Sequence, residues 1–343
     1  MEQSTHGKQI AREYPPVDEA QWIAELTERL IAKISLENTD GIMRRDAHPK
    51  MHGLVKAEFI IEPGLPPELA VGLFAKAATY PAWIRYSNQD ASRQSDTKAD
   101  IRGMAIKVLN VPGTKLLEED STSGSHDFLT ISTPVLVTAD VEEFTRLIRA
   151  FTGGLIKMGL FCLLHPRATW NLLSAMKHHA NPLKIRYWST TPYLFGDGRA
   201  VKYSNIPHTK APDGVPAKAG DNYLREAMVS QLASEGASFD FCVQFQTDAN
   251  TMPIEDAGDE WHEHASPFRK VATVHIPPQV FDTPERDQYG NNVLSFNPWH
   301  ALAEHRPLGG VNRARKLVYR AISTFRHQKN KLERREPDGY EID

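Results

Sequence analysis

Asn312-Arg313-Ala314-Arg315-Lys316-Leu317-Val318-Tyr319, with Arg326 about two turns further on, is the stretch whose reading decides the fold. At about 100° per residue on a helix, Arg315, Tyr319 and Arg326 share a narrow stripe. The stripe borders an apolar arc of Leu317, Val318, Ala321, Ile322 and Phe325. A guanidinium fixed beside a phenol favours the phenolate, because an opposite charge stabilises the ionised form. A phenolate is a hard anionic oxygen ligand suited to ferric iron. Read in isolation, the segment is an amphipathic helix with ordinary surface arginines.

A second segment changes that reading. Arg45-Asp46-Ala47-His48-Pro49-Lys50-Met51-His52-Gly53 runs into the alternating Leu54-Val55-Lys56-Ala57-Glu58-Phe59-Ile60-Ile61. It is followed by Trp83-Ile84-Arg85-Tyr86-Ser87-Asn88, by Ala99-Asp100-Ile101-Arg102-Gly103-Met104-Ala105-Ile106-Lys107, and by Thr133-Pro134-Val135. In this order the five blocks resemble the catalase family, over most of the region from Arg45 to Arg326. The resemblance implies an α+β fold: a closed antiparallel β-barrel with helical insertions and a C-terminal haem-ligand helix. It implies haem b as cofactor, with Tyr319 as the iron ligand, tyrosine being the ligand known for catalases. His48 then matches the catalytic imidazole and Ser87 the hydroxyl that orients it. Arg45, Arg85 and Arg326 match the arginines that bind the propionates, Arg315 the partner of the axial phenolate, Phe144 a ring lying against the haem, and Asp100 an access-channel carboxylate.

The departures from the family pattern point to altered chemistry. Its Asn-Asn-Thr-Pro run reads Ile131-Ser132-Thr133-Pro134 here, so an apolar side chain replaces the distal amide. Leu136 and Val137 stand where aromatic rings are usual, and Ala47 precedes the histidine in place of valine. Loss of the amide should impair turnover of a second hydrogen peroxide, and loss of ring volume should admit larger molecules. The expected function is therefore a haem-dependent peroxidase that takes hydrogen peroxide or organic hydroperoxides, fatty-acid hydroperoxides included, with weak catalase activity. The alternatives are a fatty-acid hydroperoxide isomerase or dehydrase, from which Ala47 departs, and a non-enzymatic haem sensor or carrier, which would not need His48.

The chain has 343 residues, enough for one large core. It is 41% hydrophobic and 24% charged, which is ordinary for a globular protein. A net charge of −3 gives no ground for a nucleic-acid partner. Cys162 and Cys242 are expected to be buried thiols without a disulfide framework, consistent with a reducing, cytoplasmic setting. Residues 1–16 read as a mobile leader, 17–330 as the haem domain and 331–343 as a polar tail. Phe151 to Leu164 is the most apolar segment, too short to span a bilayer but able to touch lipid. The family resemblance makes a homodimer plausible.

Periodicity predicts a helix from Asp18 to Leu36, strands from Gly53 to Pro63, Trp83 to Ser87, Gly103 to Leu109 and near Phe128 to Ile131, and a helix from Val141 to Phe151. A helix is also expected from Pro66 to Ala78, and a helical region from Gly154 to about Ala180 with a break at Pro166. Strands are expected at Ala200 to Tyr203, Phe239 to Gln246 and Val271 to Ile276. His262-Glu263-His264 lacks the i, i+4 spacing of a helical zinc pair, and His178-His179 is no better. Trp299-His300 and His305 to Gly310 form a turn-rich approach that positions the last helix. Neither a phosphate-binding glycine loop nor a serine-nucleophile elbow occurs.

Overall fold

The computed structural model describes residues 7–211 and 214–342. Nine antiparallel strands are present among them: β1 (Met51–Ile61), β2 (Thr79–Asn88), β3 (Arg102–Val108), β4 (His126–Ile131), β5 (Tyr187–Trp188), β6 (Tyr193–Leu194), β7 (Ala200–Pro207), β8 (Ala237–Phe245) and β9 (Arg269–Ile276). They pair in the order β5-β4-β3-β2-β1-β9-β8-β7-β6, and β5 pairs back onto β7. Eight strands thus close into a barrel and β6 hangs on β7, which is the expected α+β barrel architecture. Closure leaves few unpaired strand edges.

Side chains alternate across each strand. Phe59, Ile84, Tyr86, Ile106, Phe128, Phe241 and Val274 point inward and are fully buried or nearly so. The centre is aromatic: the Phe128 ring lies 5.6 Å from Phe59 and 4.7 Å from Phe241. Each such side chain stabilises the fold by about 1.5–3 kcal/mol through removal from water. The opposite parity faces outward. Ser87 pairs with Gly103, Gly103 with Ile131, and Ile131 with Trp188, so these four positions form one row across β2 to β5. Arg85, Ala105 and Leu129 form the adjacent row on the same face.

Outside the barrel, α1 (Glu19–Glu37), α2 (Val141–Thr152) and α7 (Gly310–Asn330) pack together through Ile23, Leu26, Leu30, Val141, Ile148, Ala314 and Val318. The start of α2 is fixed reciprocally: Asp140 accepts from Glu143 N at 2.9 Å, and Glu143 accepts from Ala139 N at 2.7 Å. The start of α7 is held by carboxylates, Glu13 on Gly309 N at 2.9 Å and Glu255 on Gly310 N at 2.8 Å. Negative charge there complements the helix dipole.

Several elements differ from expectation. The helix expected over Pro66 to Ala78 is reduced to one 3-10 turn, Gly72–Phe74. Gly72 adopts φ +52°, which halts a helix, and a Cβ there would lie 2.5 Å from His305 Nε2. The helical region after Gly154 is two helices, α3 (Leu155–Leu164) and α4 (Pro166–Ala175), and stops short of Ala180 because Lys177 bridges to Asp100. Helix α5 (Tyr223–Leu232), the short strands β5 and β6, and α6 (Pro284–Gln288) with the π-turn Tyr289–Val293 behind it were not anticipated. Cys242 is buried as expected, whereas Cys162 is only partly so.

Both ends of the chain pack on the body. Of the expected leader, residues 1–6 lie outside the described residues. Beyond them, Ala11 N donates to Gln246 and Glu13 pairs with Arg306 and Arg313. At the other end, Trp83 Nε1 donates to Gly339 O at 3.1 Å, Tyr340 O–H donates to Ala57 O, and Glu336 lies 2.6 Å from the buried Lys107 ammonium.

Candidate cofactor site

The site is built on the outward face of β2 to β4. His48 reaches it from the loop before β1 and lies against Gly103: a Cβ on that glycine would come within 2.7 Å of the imidazole. Only glycine allows this approach. His48 Nδ1 and Ser87 Oγ are 3.0 Å apart, so β2 supplies the group that fixes the ring. The His48 backbone is left-handed at φ 63°, a conformation that costs a non-glycine residue roughly 1 kcal/mol and that tends to persist where geometry is functional. Burial, with help from Arg85, Arg45 and Arg315, pulls the His48 pKa down to about 3. At neutral pH this imidazole is an uncharged base with Nδ1 engaged.

Three of the flanking cations converge without counterions. Arg45 donates to Asn291 O at 2.6 Å and to Leu294 O. Arg85 donates to Gly290 O at 3.1 Å and to Asn291 Oδ1 at 3.3 Å. Arg326 donates to Asn291 O at 2.9 Å. All three therefore gather at one place, the π-turn Tyr289–Val293, whose widened backbone turns its carbonyls toward them. Arg85 and Arg326 are each 3% exposed. Burial and the neighbouring Arg326 lower the Arg85 pKa to about 9, and burial lowers that of Arg326 to about 10. Arg45 falls too, through burial and then Arg85 and Arg326. A guanidinium stays protonated at neutral pH, so these shifts mark buried like charges that lack an anion. Arg326 Nε has no hydrogen-bond partner at all.

Helix α7, which carries Arg326, also carries Arg315 and Tyr319. Arg315 and Tyr319 lie one turn apart, and the Arg315 guanidinium is steered by Thr191 Oγ1 at 3.1 Å and Asn312 Oδ1 at 3.2 Å. Asn312 is itself locked by donating to Pro192 O and Leu308 O. Tyr319 packs at the edge of the α1/α2/α7 cluster, and Phe144 from α2 packs at the edge of the same cluster. Burial raises the pKa of Tyr193, with Arg315 pulling against the shift and Tyr319 adding to it.

Ile131 sits across from Gly103, on the row that carries Ser87. Ser132, the next polar residue, is engaged elsewhere: its Oγ accepts from Arg102 N at 2.9 Å, and its own N–H donates to Arg102 O. Asp100 is buried and consumed locally, accepting from Asp90 N and Ile101 N; burial raises its pKa.

His48, Ser87, Arg45, Arg85 and Arg326 thus come together, with Arg315, Tyr319 and Phe144 carried on the adjoining helices. Sequence reading missed the Asn291 acceptor, Thr191 and Asn312. The π-turn leaves no signal of its own beyond Gly290-Asn291-Asn292. The only group of three potential metal ligands among the described residues is Asp120, His300 and Glu336. Lys107 and Arg334 already neutralise those carboxylates, so no ion is called for.

The donor set fits haem. A ligand with two carboxylates would supply the anions that three clustered guanidiniums lack, and the orphaned Arg326 N–H is available to one of them. The Tyr319 phenol and the neutral His48 imidazole are of the types that would serve a ferric porphyrin as iron ligand and as base.

No protein-family model and no curated protein matches the sequence. Solved structures do match in fold. A bacterial catalase superposes with a TM-score of 0.64 at 17% identity, covering 94% of this chain and 64% of the other. A fungal catalase gives 0.66 at 15% identity over 96% of this chain and 67% of its own. Catalase A from Saccharomyces cerevisiae gives 0.66 at 17% identity, with 96% and 70% covered. The chain has a catalase-like fold and spans about two thirds of the length of these structures.

Proposed function

We propose that this chain binds haem b and acts as a peroxidase on organic hydroperoxides and hydrogen peroxide, with little catalase activity. The observation that carries the reading is the convergence of Arg45, Arg85 and Arg326 on the Asn291 turn with no carboxylate among the described residues to neutralise them. In this reading those arginines bind the propionates, Tyr319 ligates the iron under the influence of Arg315, and Phe144 packs against the ring. Bound haem would supply a redox-active ferric centre at which an O–O bond can be split.

The chain's own residues do the proton work. His48, uncharged and held at Nδ1 by Ser87, presents Nε2 to a peroxide. It takes the proton from one peroxide oxygen and returns it to the departing one, a role for which a neutral imidazole on a fixed tether is suited. Ile131 lines this position without offering a hydrogen bond, which favours an alkyl hydroperoxide over a second hydrogen peroxide.

Hemin reconstitution followed by an absorption spectrum and turnover assays tests this. A high-spin ferric spectrum is expected, with faster turnover of cumene hydroperoxide than oxygen release from hydrogen peroxide. Colourless protein after reconstitution overturns the haem assignment, and oxygen release at the rate of a full catalase overturns the substrate preference. His48→Ala should keep the haem and lose about 10²–10⁴-fold in peroxidase rate; unchanged activity would favour a haem carrier instead.

A further inference from the structure

Helices α3 and α4 form the largest unpartnered apolar surface among the described residues. Leu155 is 92% exposed, Ile156 89%, Leu163 77% and Trp170 71%, and Leu160 and Leu164 are also exposed. On α3, at about 100° per residue, these side chains cover roughly half of the circumference, with Lys157 at one edge. The opposite side of the helix is anchored: Phe161 packs with Ala150 and Ala168. Soluble proteins rarely leave so much contiguous apolar surface uncovered without an interaction to serve.

The charge around this face identifies what covers it. From Phe144 to Gly196 the chain contains seven Lys or Arg residues and no Asp or Glu, in a protein whose net charge is −3. Arg146, Arg149, Arg167 and Arg186 are paired with carboxylates elsewhere in the sequence. Lys157, Lys177 and Lys184 have no ion pair among the described residues, and Lys157 and Lys177 are exposed. An apolar strip edged by the exposed Lys157 ammonium, which has no ion pair among the described residues, is complementary to a surface that is apolar within and anionic at its boundary.

We infer that the α3–α4 face docks on an anionic phospholipid bilayer, with α3 lying in the interfacial plane, its leucine and isoleucine side chains among the acyl chains, Trp170 at headgroup level and Lys157 against the lipid phosphates. No helix among the described residues is long and apolar enough to cross a membrane, so the attachment is peripheral. Cations near the surface strengthen such binding, and a tryptophan ring, with one apolar and one polar edge, settles at the interface. The docking does not depend on the haem reading, because it involves neither His48 nor Tyr319.

Co-sedimentation of the full-length protein with vesicles tests it. Vesicles of phosphatidylcholine containing about one third phosphatidylglycerol should pellet the protein, and pure phosphatidylcholine vesicles should bind it about tenfold more weakly. Ile156→Asp with Leu163→Asp, both at solvent-facing positions, should abolish sedimentation without loss of the circular dichroism spectrum. Lys157→Ala should weaken binding about fivefold. The inference is overturned if the wild type stays in the supernatant with the anionic vesicles, or if the double variant binds as well as wild type. It is also overturned if vesicle-free protein forms a dimer that the double variant converts to a monomer, since a second copy then covers the face.

Discussion

At the residue scale, the unusual feature is a set of positive charges that do not help the fold that holds them. Removing one buried cation from a like-charge cluster relieves repulsion and desolvation, whereas an ordinary buried ion pair loses stability when it is broken. Arg326→Leu should therefore leave the melting temperature of the haem-free protein unchanged or raise it, while lowering hemin affinity by at least tenfold, measured by Soret titration. A lower melting temperature together with undiminished hemin affinity would mean that Arg326 serves only its bond to Asn291 O. Tyr319→Phe makes a complementary prediction: the phenol packs only at the margin of the helix cluster, so folding should survive while the high-spin ferric spectrum is lost. Ile131→Asn restores an amide donor on the row shared with Ser87 and Gly103. It should raise oxygen release from hydrogen peroxide by about tenfold or more, since a single well-placed donor at a reacting oxygen is worth that much or more. An unchanged rate would show that the apolar wall does not limit the second peroxide.

At the scale of elements, the sequence revealed what repeats and hid what depends on distant partners. Strands β1, β2, β3, β8 and β9 announce themselves by alternation, and α1, α2 and α7 by helical spacing. Ser87, Arg85 and Tyr319 fall at fixed steps within those elements, so the strand or helix face of each could be read in advance, whereas His48 lies in the loop before β1. Strands β5 and β6 are two residues each and exist because the barrel closes through them, which no local pattern encodes. The expected helix after Pro66 fails because Gly72 makes room for His305, a residue more than two hundred positions away. The tail reads as polar, yet its charge is its attachment. Lys107 is fully buried and lies 2.8 Å from Asp127 and 2.6 Å from Glu336, so the last dozen residues carry half of its neutralisation. Burial tends to lower the lysine pKa, but those two carboxylates outweigh it and the net shift is upward. Glu336→Gln should leave a buried ammonium with one counterion and cost about 1–3 kcal/mol, seen as a lower midpoint in urea. An unaltered midpoint would mean that the tail rests on Tyr340 and Gly339 alone.

On the scale of the whole molecule, the barrel core is unusually dependent on neutral imidazoles. His126 and His305 face each other across 5.6 Å inside the aromatic centre, and both have a ring nitrogen without a partner. Burial drives the pKa of His126 well below its usual value and that of His305 down to about 4. His52, bonded to Asn88 Oδ1 at 2.6 Å, is lowered to about 4 by burial despite the opposing pull of Asp96. His48 joins them at about 3. In an unfolded chain each would titrate near 6.5. Between those values the unfolded state binds more protons, so stability is fully present above about pH 6.5 and declines as pH falls toward the folded values. His300 runs the other way. It bridges Asp120 at 2.8 Å and Asp127 at 2.7 Å, and its pKa is raised, burial and Lys107 being outweighed by Asp127 and Asp120. Its contribution is present below pH 6.5 and is lost as pH rises through its folded value. Burial lowers His327 as well, and five groups against one predict a lopsided profile: a melting temperature that drops steadily from pH 6.5 to pH 4 and only gently on the alkaline side. Differential scanning calorimetry across pH 4–9 checks it. A profile flat to pH 4 would require the buried imidazoles to be protonated in the native state, for which only His52, beside Asp96, has a carboxylate at hand among the described residues.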